Sequence, residues 1–429
     1  MRIAFVTQPG HAVLPALGSV EIEQRYVAER LAAGGHQAMV FASAVGQQDR
    51  PDEVHDGVLY SFVPHFGARY IRRVEQLLGR RSPHKPRLAS SIPMLGYWIG
   101  VALRARRARA DVIWIANYSQ AVPIIRRLNP GATIALHMHC DWLVLLDRRM
   151  VESRLARVDL VVGCGEGISD RIRARFPQIA DRCVTVHNGV DVEALGSLPL
   201  VRDRDDDEVR VLFVGRISPE KGVHVLFDAF QQVARRNPHV RLLLIGGPSI
   251  ARHEWELSDA PWTRGLEAFY AGDYPQMLQD SLDPDVATRV TMTGFLLHDA
   301  IIEYYRTADI LVCPSVWEEP FAVPPLEGMA AGLPFVASAR GGFIECVEEG
   351  KTGFLVPPGD SEALAEAISA LAEDRDLRKR LGQAGRERAL ELYSVESMAT
   401  ALENRLKSAH GGTSRSLIGD PPLEGAGLT

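Results

Sequence analysis

Glu319 and Glu327 stand eight positions apart in the run Cys313-Pro-Ser-Val-Trp-Glu-Glu-Pro-Phe-Ala-Val-Pro-Pro-Leu-Glu-Gly-Met-Ala-Ala-Gly332. A carboxylate only accepts hydrogen bonds and pairs well with vicinal hydroxyls. Two of them flanking a turn and opening a helix suit a ligand with two polyol rings, such as a sugar nucleotide. Ile310 to Cys313 is a short apolar run of buried-strand type, four prolines punctuate 314 to 325, and Leu326 to Ala331 has helix-forming composition ended by Gly332 and Pro334. The order is strand, loop, helix. Open parallel sheets take ligands outside the carboxyl ends of their strands, where a helix N-terminus offers free N–H groups to a pyrophosphate. On these letters alone, a solvated Glu319 and a dipole-favoured Glu327 fit equally well.

Three further groups could do chemistry. Arg216 and Lys221 lie in Gly215-Arg-Ile-Ser-Pro-Glu-Lys-Gly222. A guanidinium grips phosphate oxygens with a planar fork and an ammonium acts as a mobile point charge, although two surface ion-pairing residues would look the same. Thr133-Ile-Ala-Leu-His-Met-His-Cys-Asp-Trp142 places His137 and His139 on one side of a strand by its period of two. A lone buried histidine is usually a satisfied core residue. Asp203-Arg-Asp205, Asp205-Asp-Asp207 and Asp283-Pro-Asp285 match the Asp-x-Asp of a Mg2+ or Mn2+ site, but none follows an apolar strand. They read as solvated loop charges, and no metal is expected. Asn117-Tyr-Ser119 matches a glycosylation sequon that an intracellular chain would not use.

The elements that must hold these residues follow from apolar runs alternating with amphipathic stretches. Ile3 to Val6, Gln37 to Ala42, Val58 to Val63, Val112 to Ile115, Thr133 to His137 and Leu160 to Val162 read as strands, separated by helices such as Val20 to Ala33 and Ile92 to Arg107. The charged stretch Val201 to Glu208 marks a linker. The pattern restarts with strand Arg210 to Val214, helix Gly222 to Arg236 and strand Val240 to Ile245, continuing to about Val356. Helices are expected over Glu362 to Glu373, with Asp360 or Ser361 as N-cap, and over Leu377 to Tyr393. The expected class is α/β, two doubly wound Rossmann-like domains over 1–195 and 209–393, with a disordered Gly-, Ser- and Pro-rich tail at 409–429. The stretch Pro248 to Asp285, with Trp255, Trp262, Phe269, Tyr270 and Tyr274, is expected to be an ordered excursion or a flap over its own small core.

Composition agrees with two domains. A chain of 429 residues with 46% hydrophobic content exceeds what one core serves. No run approaches the roughly 18 to 20 apolar residues of a membrane span, no signal peptide is evident at Met1 to Thr7, and a cytoplasmic location is expected. Five cysteines without a C-x-x-C pair argue against zinc and a disulfide framework. Basic residues exceed acidic ones by 7 over positions 1–200, while acidic ones exceed by 13 afterwards, so the first half should face an anionic partner. Arg69, Arg72, Arg73, Arg80, Arg81, Lys85 and Arg87 interleave with apolar residues at helical spacing. That suits peripheral contact with a membrane inner face, or a solvated helix with a buried stripe. No RNA-type aromatic and basic motif appears, so nucleic acid is not an expected partner.

The chain resembles the retaining glycosyltransferases of the two-Rossmann, GT-B architecture known as family 4. The resemblance rests on Glu319 to Glu327 as E-x7-E, Val211-Leu-Phe-Val-Gly-Arg-Ile-Ser-Pro-Glu-Lys-Gly222, His187-Asn-Gly-Val-Asp191, Thr293-Gly-Phe295, Ala308-Asp-Ile310, Gly341-Gly-Phe-Ile-Glu345 and Gly353-Phe-Leu-Val356, in the family's order. It implies that Glu327 holds the ribose and Glu319 the transferred sugar, with the backbone of Phe321, Ala322 and Val323 lining sugar and phosphate. Arg216 and Lys221, entered through Gly215, would bind the diphosphate, and Gly294 and Phe295 would lie under the base. Gly18-Ser19 stands where the family commonly has two glycines, and Ser19 still permits close approach to phosphate. One histidine at the strand end would contact the reacting sugar; His139 matches better than His137. The last helix, around 394–408, would return to the first domain.

The implied reaction is retaining front-side transfer of a hexose-type sugar from a nucleotide diphosphate, UDP before GDP, to a glycan, lipid-linked or small-molecule hydroxyl, without a cofactor. Cell-envelope glycan, glycolipid and natural-product glycoside synthesis are all open. An epimerase or hydrolase on the same fold, or a non-catalytic nucleotide-sugar binder, are the alternatives.

Overall fold

The computed structural model describes residues 1–11, 13, 14, 16, 18–44, 50–65, 84–86, 89–197, 207–248 and 265–411. Leu17, most of the basic stretch 69–87, the linker 198–206, the excursion's 249–264 with Trp255 and Trp262, and the tail from 412 lie outside them.

The first sheet has eight strands ordered β3-β4-β2-β1-β5-β6-β7-β8. They are β1 Arg2–Val6, β2 Gln37–Ser43, β3 Glu53–His55, β4 Val58–Val63, β5 Val112–Ala116, β6 Thr133–Met138, β7 Leu160–Gly163 and β8 Cys183–Thr185. All neighbours are parallel except β3 with β4. Central strands such as Val-Ile-Trp-Ile-Ala of β5 are buried throughout because helices cover both faces. The second sheet is wholly parallel, ordered β11-β10-β9-β12-β13-β14, with β9 Val209–Val214, β10 Val240–Ile245, β11 Val290–Met292, β12 Ile310–Cys313, β13 Phe335–Ser338 and β14 Gly353–Val356.

Nine helices carry the argument: α1 Ser19–Ala33, α2 Leu95–Arg107, α3 Glu166–Arg175, α4 Val223–Arg236, α5 His298–Thr307, α6 Val323–Ala330, α7 Ser361–Glu373, α8 Arg375–Leu392 and α9 Val395–Gly411. Helix α6 begins three residues before its composition suggests, because Pro324 and Pro325 occupy its first turn, where a missing N–H costs nothing. Asp360 is the N-cap of α7 and accepts from the Ala363 N–H. Helix α9 leaves the second sheet and lies on the first, where Met398, Leu402 and Leu406 pack with Ile3, Phe5 and Trp114. His36 and Arg30 add polar ties to Glu403 and Glu396 at 2.8 and 2.5 Å.

The described end of the excursion packs on α4. Phe269 stacks on His224 with ring centroids 4.5 Å apart, and the Tyr274 hydroxyl meets the His224 backbone N–H at 3.0 Å. No helix among the described residues is long and apolar enough to cross a membrane.

Candidate active site

A cavity of about 660 Å3 opens between the carboxyl ends of the two sheets. Gly18, Ser19, His139, Gly215, Arg216, Lys221, Phe295, Glu319, Phe321, Ala322, Val323 and Glu327 line it. Gly294 precedes Phe295 with φ +76°, and His137 lies behind His139 with no exposed surface. Residues spread over three hundred positions thus meet in one cleft.

Glu319 follows β12 and is buried, so its charge must be matched. Lys221 Nζ donates to Glu319 Oε1 at 2.6 Å and Ser315 Oγ donates to the same oxygen at 2.5 Å. Burial pushes this carboxyl up, but the Lys221 charge and these hydrogen bonds more than offset it, leaving Glu319 below the ordinary carboxylate range. Lys221 also lies 5.2 Å from the Trp317 ring centroid. The loop is buttressed by Gly341, which has φ +56° and whose added Cβ would stand 2.3 Å from the Glu319 carbonyl oxygen. Gly342 donates its N–H to that carbonyl at 2.7 Å.

Glu327, on the first turns of α6, has both oxygens held. His298 Nε2 is 2.5 Å from Oε1, and the buried Tyr305 hydroxyl donates to Oε2 at 2.8 Å. Burial pulls the His298 imidazole down, yet Glu327 more than compensates and leaves it above the usual histidine value. Since prolines fill the next two positions, the donors at the mouth of α6 are the N–H groups of Ala322 and Val323.

Arg216 is oriented from behind. Its Nη2 lies 3.0 Å from Glu220 Oε1, and Glu220 also accepts from Ser218 Oγ and the Tyr270 hydroxyl, each at 2.6 Å. Tyr270 thereby ties the excursion to the turn that carries Arg216. Gly222 has φ +69°, and its Cβ would fall 2.0 Å from the Pro314 carbonyl oxygen, so only glycine lets the Arg216–Lys221 turn sit against β12.

On the opposite wall, the His139 N–H donates to Asn117 Oδ1 at 2.7 Å. Asn117 takes a left-handed φ of 57° and is buried, so the apparent sequon is a clamp on the histidine strand end. Burial drives His139 down to about 3, with Asn188 pulling the other way, and drives His137 well below its usual value. Asn188 Nδ2 donates to the Phe321 carbonyl at 2.8 Å, joining the first domain to the Glu319 loop. Glu345 makes a second link: it accepts from the N–H groups of Glu166 and Gly167 at 2.8 and 2.9 Å, capping α3, and lies 3.1 Å from His187 Nε2.

Several of these residues are not marked in the sequence as site residues. Asn188 and Glu345 lie inside quoted motifs, which was their signal. Tyr305, His298, Ser315 and Asn117 carry no local signal.

Two doubly wound sheets with a cleft between their strand ends define the GT-B architecture. Residues 201–388 match the model of the glycosyl transferases group 1 and residues 24–194 that of glycosyltransferase family 4. The phosphatidyl-myo-inositol mannosyltransferase of Mycobacterium leprae is 31% identical over 387 residues, covering 90% of this chain and 91% of that protein. Glycogen synthase of Mycobacterium tuberculosis is 27% identical, covering 94% and 93%. Among solved structures, sucrose-phosphate synthase from Thermosynechococcus elongatus superposes with TM-score 0.71 at 23% identity, covering 96% of this chain and all of that one. Anabaena HepE in complex with UDP and glucose does so with TM-score 0.65 at 20% identity, covering 95% and 100%. The chain belongs to glycosyltransferase family 4 and is a glycosyltransferase of the GT-B fold.

Proposed function

We propose that the protein transfers a hexose-type sugar, with retention of configuration, from a nucleotide diphosphate to an acceptor hydroxyl. The observation that carries this is the two carboxylates in one cleft, one beside Lys221 and Arg216 and one set back at α6. Glu327 accepts from the ribose hydroxyls, replacing its bond with His298. Arg216, Lys221 and the N–H groups of Ala322 and Val323 face the diphosphate, where negative charge builds as the bond from phosphate oxygen to sugar C1 breaks. Glu319 accepts from hydroxyls of the transferred sugar. Its engagement by Lys221 and Ser315 suits an orienting group rather than a nucleophile.

The acceptor oxygen attacks C1 from the face the phosphate leaves, and its proton passes to the departing phosphate oxygen. His139 contacts the reacting sugar from the first domain. The cationic side chains supply the charge at the diphosphate, so no divalent ion is required there. We favour UDP over GDP; HepE, of the same fold, holds UDP and glucose. The acceptor is a cell-envelope glycan, glycolipid or natural-product hydroxyl reached at the inner face of the membrane, with the basic stretch 69–87 as the contact.

The test is thermal shift of the purified protein with UDP, GDP, dTDP, ADP and their sugar conjugates, beside Glu327→Ala and Lys221→Ala. One nucleotide should raise the wild-type melting point and fail with the variants. No shift at millimolar concentration with any nucleotide would remove the donor-site assignment. Nucleotide release that requires an acceptor separates transfer from hydrolysis or epimerisation.

A further inference from the structure

Glu23, His137 and His139 form a buried cluster in which the proposed sugar transfer gives a task to His139 alone. Glu23 projects from α1, while the two imidazoles stand at the end of β6 with ring centroids 3.9 Å apart. Glu23 Oε1 is 3.7 Å from His137 Nδ1 and Oε2 is 3.4 Å from His139 Nδ1, and the three side chains are 3%, 0% and 6% exposed. Among the described residues, Glu23 Oε2, both ring nitrogens of His137 and Nε2 of His139 have no hydrogen-bond partner.

Such a cluster is costly as it stands. An unpaired buried polar atom costs about 1–3 kcal/mol, and buried carboxylates are normally paired or bound to metal. No Lys or Arg among the described residues pairs with Glu23, and the nearby Glu21 carries the same sign. A proton shared between Glu23 and His139 would relieve one contact and leave His137 unsatisfied.

We propose that Glu23, His137 and His139 bind a divalent transition-metal ion, zinc foremost, at the acceptor-side wall of the cleft. One atom from each residue can be chosen so that all lie within 4.8 Å of one another. Ligands at about 2.0–2.2 Å from tetrahedral zinc are separated by roughly 3.3–3.5 Å, close to the observed Glu23–histidine distances and long for a hydrogen bond. Two imidazoles and a carboxylate suit zinc, iron, nickel or copper and disfavour the oxygen-seeking Mg2+ and Ca2+. Glu23 and His139 both line the cleft, so the remaining coordination position opens toward it. The site lies apart from the diphosphate, and the sequence expectation of no metal, drawn from Asp-x-Asp patterns, could not detect residues 23 and 137–139 meeting.

The test uses untagged full-length protein grown with zinc and analysed by elemental mass spectrometry, together with Co2+ titration of the metal-stripped protein. Near-stoichiometric zinc and a visible Co2+ absorption band, both lost in Glu23→Gln and His137→Gln, are expected. The stripped variants should melt where the stripped wild type does, and nucleotide thermal shifts should persist in them, since Arg216, Lys221, Glu319 and Glu327 lie on the other domain. A wild type that carries no zinc and gives no Co2+ band overturns the proposal, whatever the nucleotide shifts show. Full metal content in both variants overturns the assignment of ligands.

Discussion

At the scale of single residues, Lys221 has two tasks that one substitution removes together. It neutralises buried Glu319 and, in the proposed reaction, faces the leaving diphosphate. Lys221→Ala is expected to lower kcat about 100- to 1,000-fold, the usual cost of removing a group aimed at developing charge. Its melting point should also fall, since the Glu319 carboxylate loses its partner. Steady-state kinetics and calorimetry on the same preparation would separate the two losses. Glu327 makes a pH-dependent prediction through His298. Because its partner raises the His298 pKa in the folded chain, the pair stabilises the fold below the unfolded value, and that contribution is lost as pH rises through the folded value. Melting points of wild type and His298→Ala should therefore differ most in acid and converge in alkali. The donor KM should rise as pH falls, because protonated His298 competes with ribose for Oε1, and this rise should vanish in His298→Ala. A donor KM independent of pH in the wild type would argue against Glu327 as the ribose acceptor.

At the scale of elements, the Glu319 loop depends on the turn that backs it. Gly341→Ala puts a methyl against the Glu319 carbonyl at positive φ, and a loss of roughly 2 kcal/mol or more is expected from strain and overpacking, with lower kcat, measured by chemical denaturation and turnover. Glu345→Gln weakens the cap on α3 and should cost about 1 kcal/mol, a change readable in hydrogen exchange at Glu166 and Gly167. What the sequence made legible follows the same logic. Central strands such as β5 and β12 announce themselves because both faces are buried, giving unbroken apolar runs. The edge strands β3 and β8, with three residues each, carry no such pattern and are visible only in three dimensions. Glu319 and Glu327 share one strand-loop-helix unit and Arg216 and Lys221 another, so the spacing within each unit made them candidates, and the fold brings all four to one cleft. Glu23, Asn117 and Tyr305 were not, since their roles arise from contact between elements far apart in the chain. Asn117 was even readable as something else, a sequon.

At the scale of the whole molecule, the two domains are joined by chemistry as well as by chain. Asn188 and Glu345 reach across in opposite directions, one to the Glu319 loop and one to α3, so the first domain holds the Glu319 loop and the second caps a helix of the first. The return of α9 adds a third tie. Removing residues 395–411 uncovers the face formed with Ile3, Phe5 and Trp114, and the truncated protein should melt several degrees lower or aggregate, as light scattering would show. Supplying the segment as a separate peptide should restore part of the loss.

The same crossing sets the unit in which the protein can be recombined. A chimera that exchanges the front half by cutting once between the two domains would pair a foreign front half with a native α9 shaped for different neighbours. The exchangeable piece is discontinuous, the front half plus the final helix, so a working graft needs two joints, and the residues of α9 that touch α1 and β1 must travel with the front half they pack against.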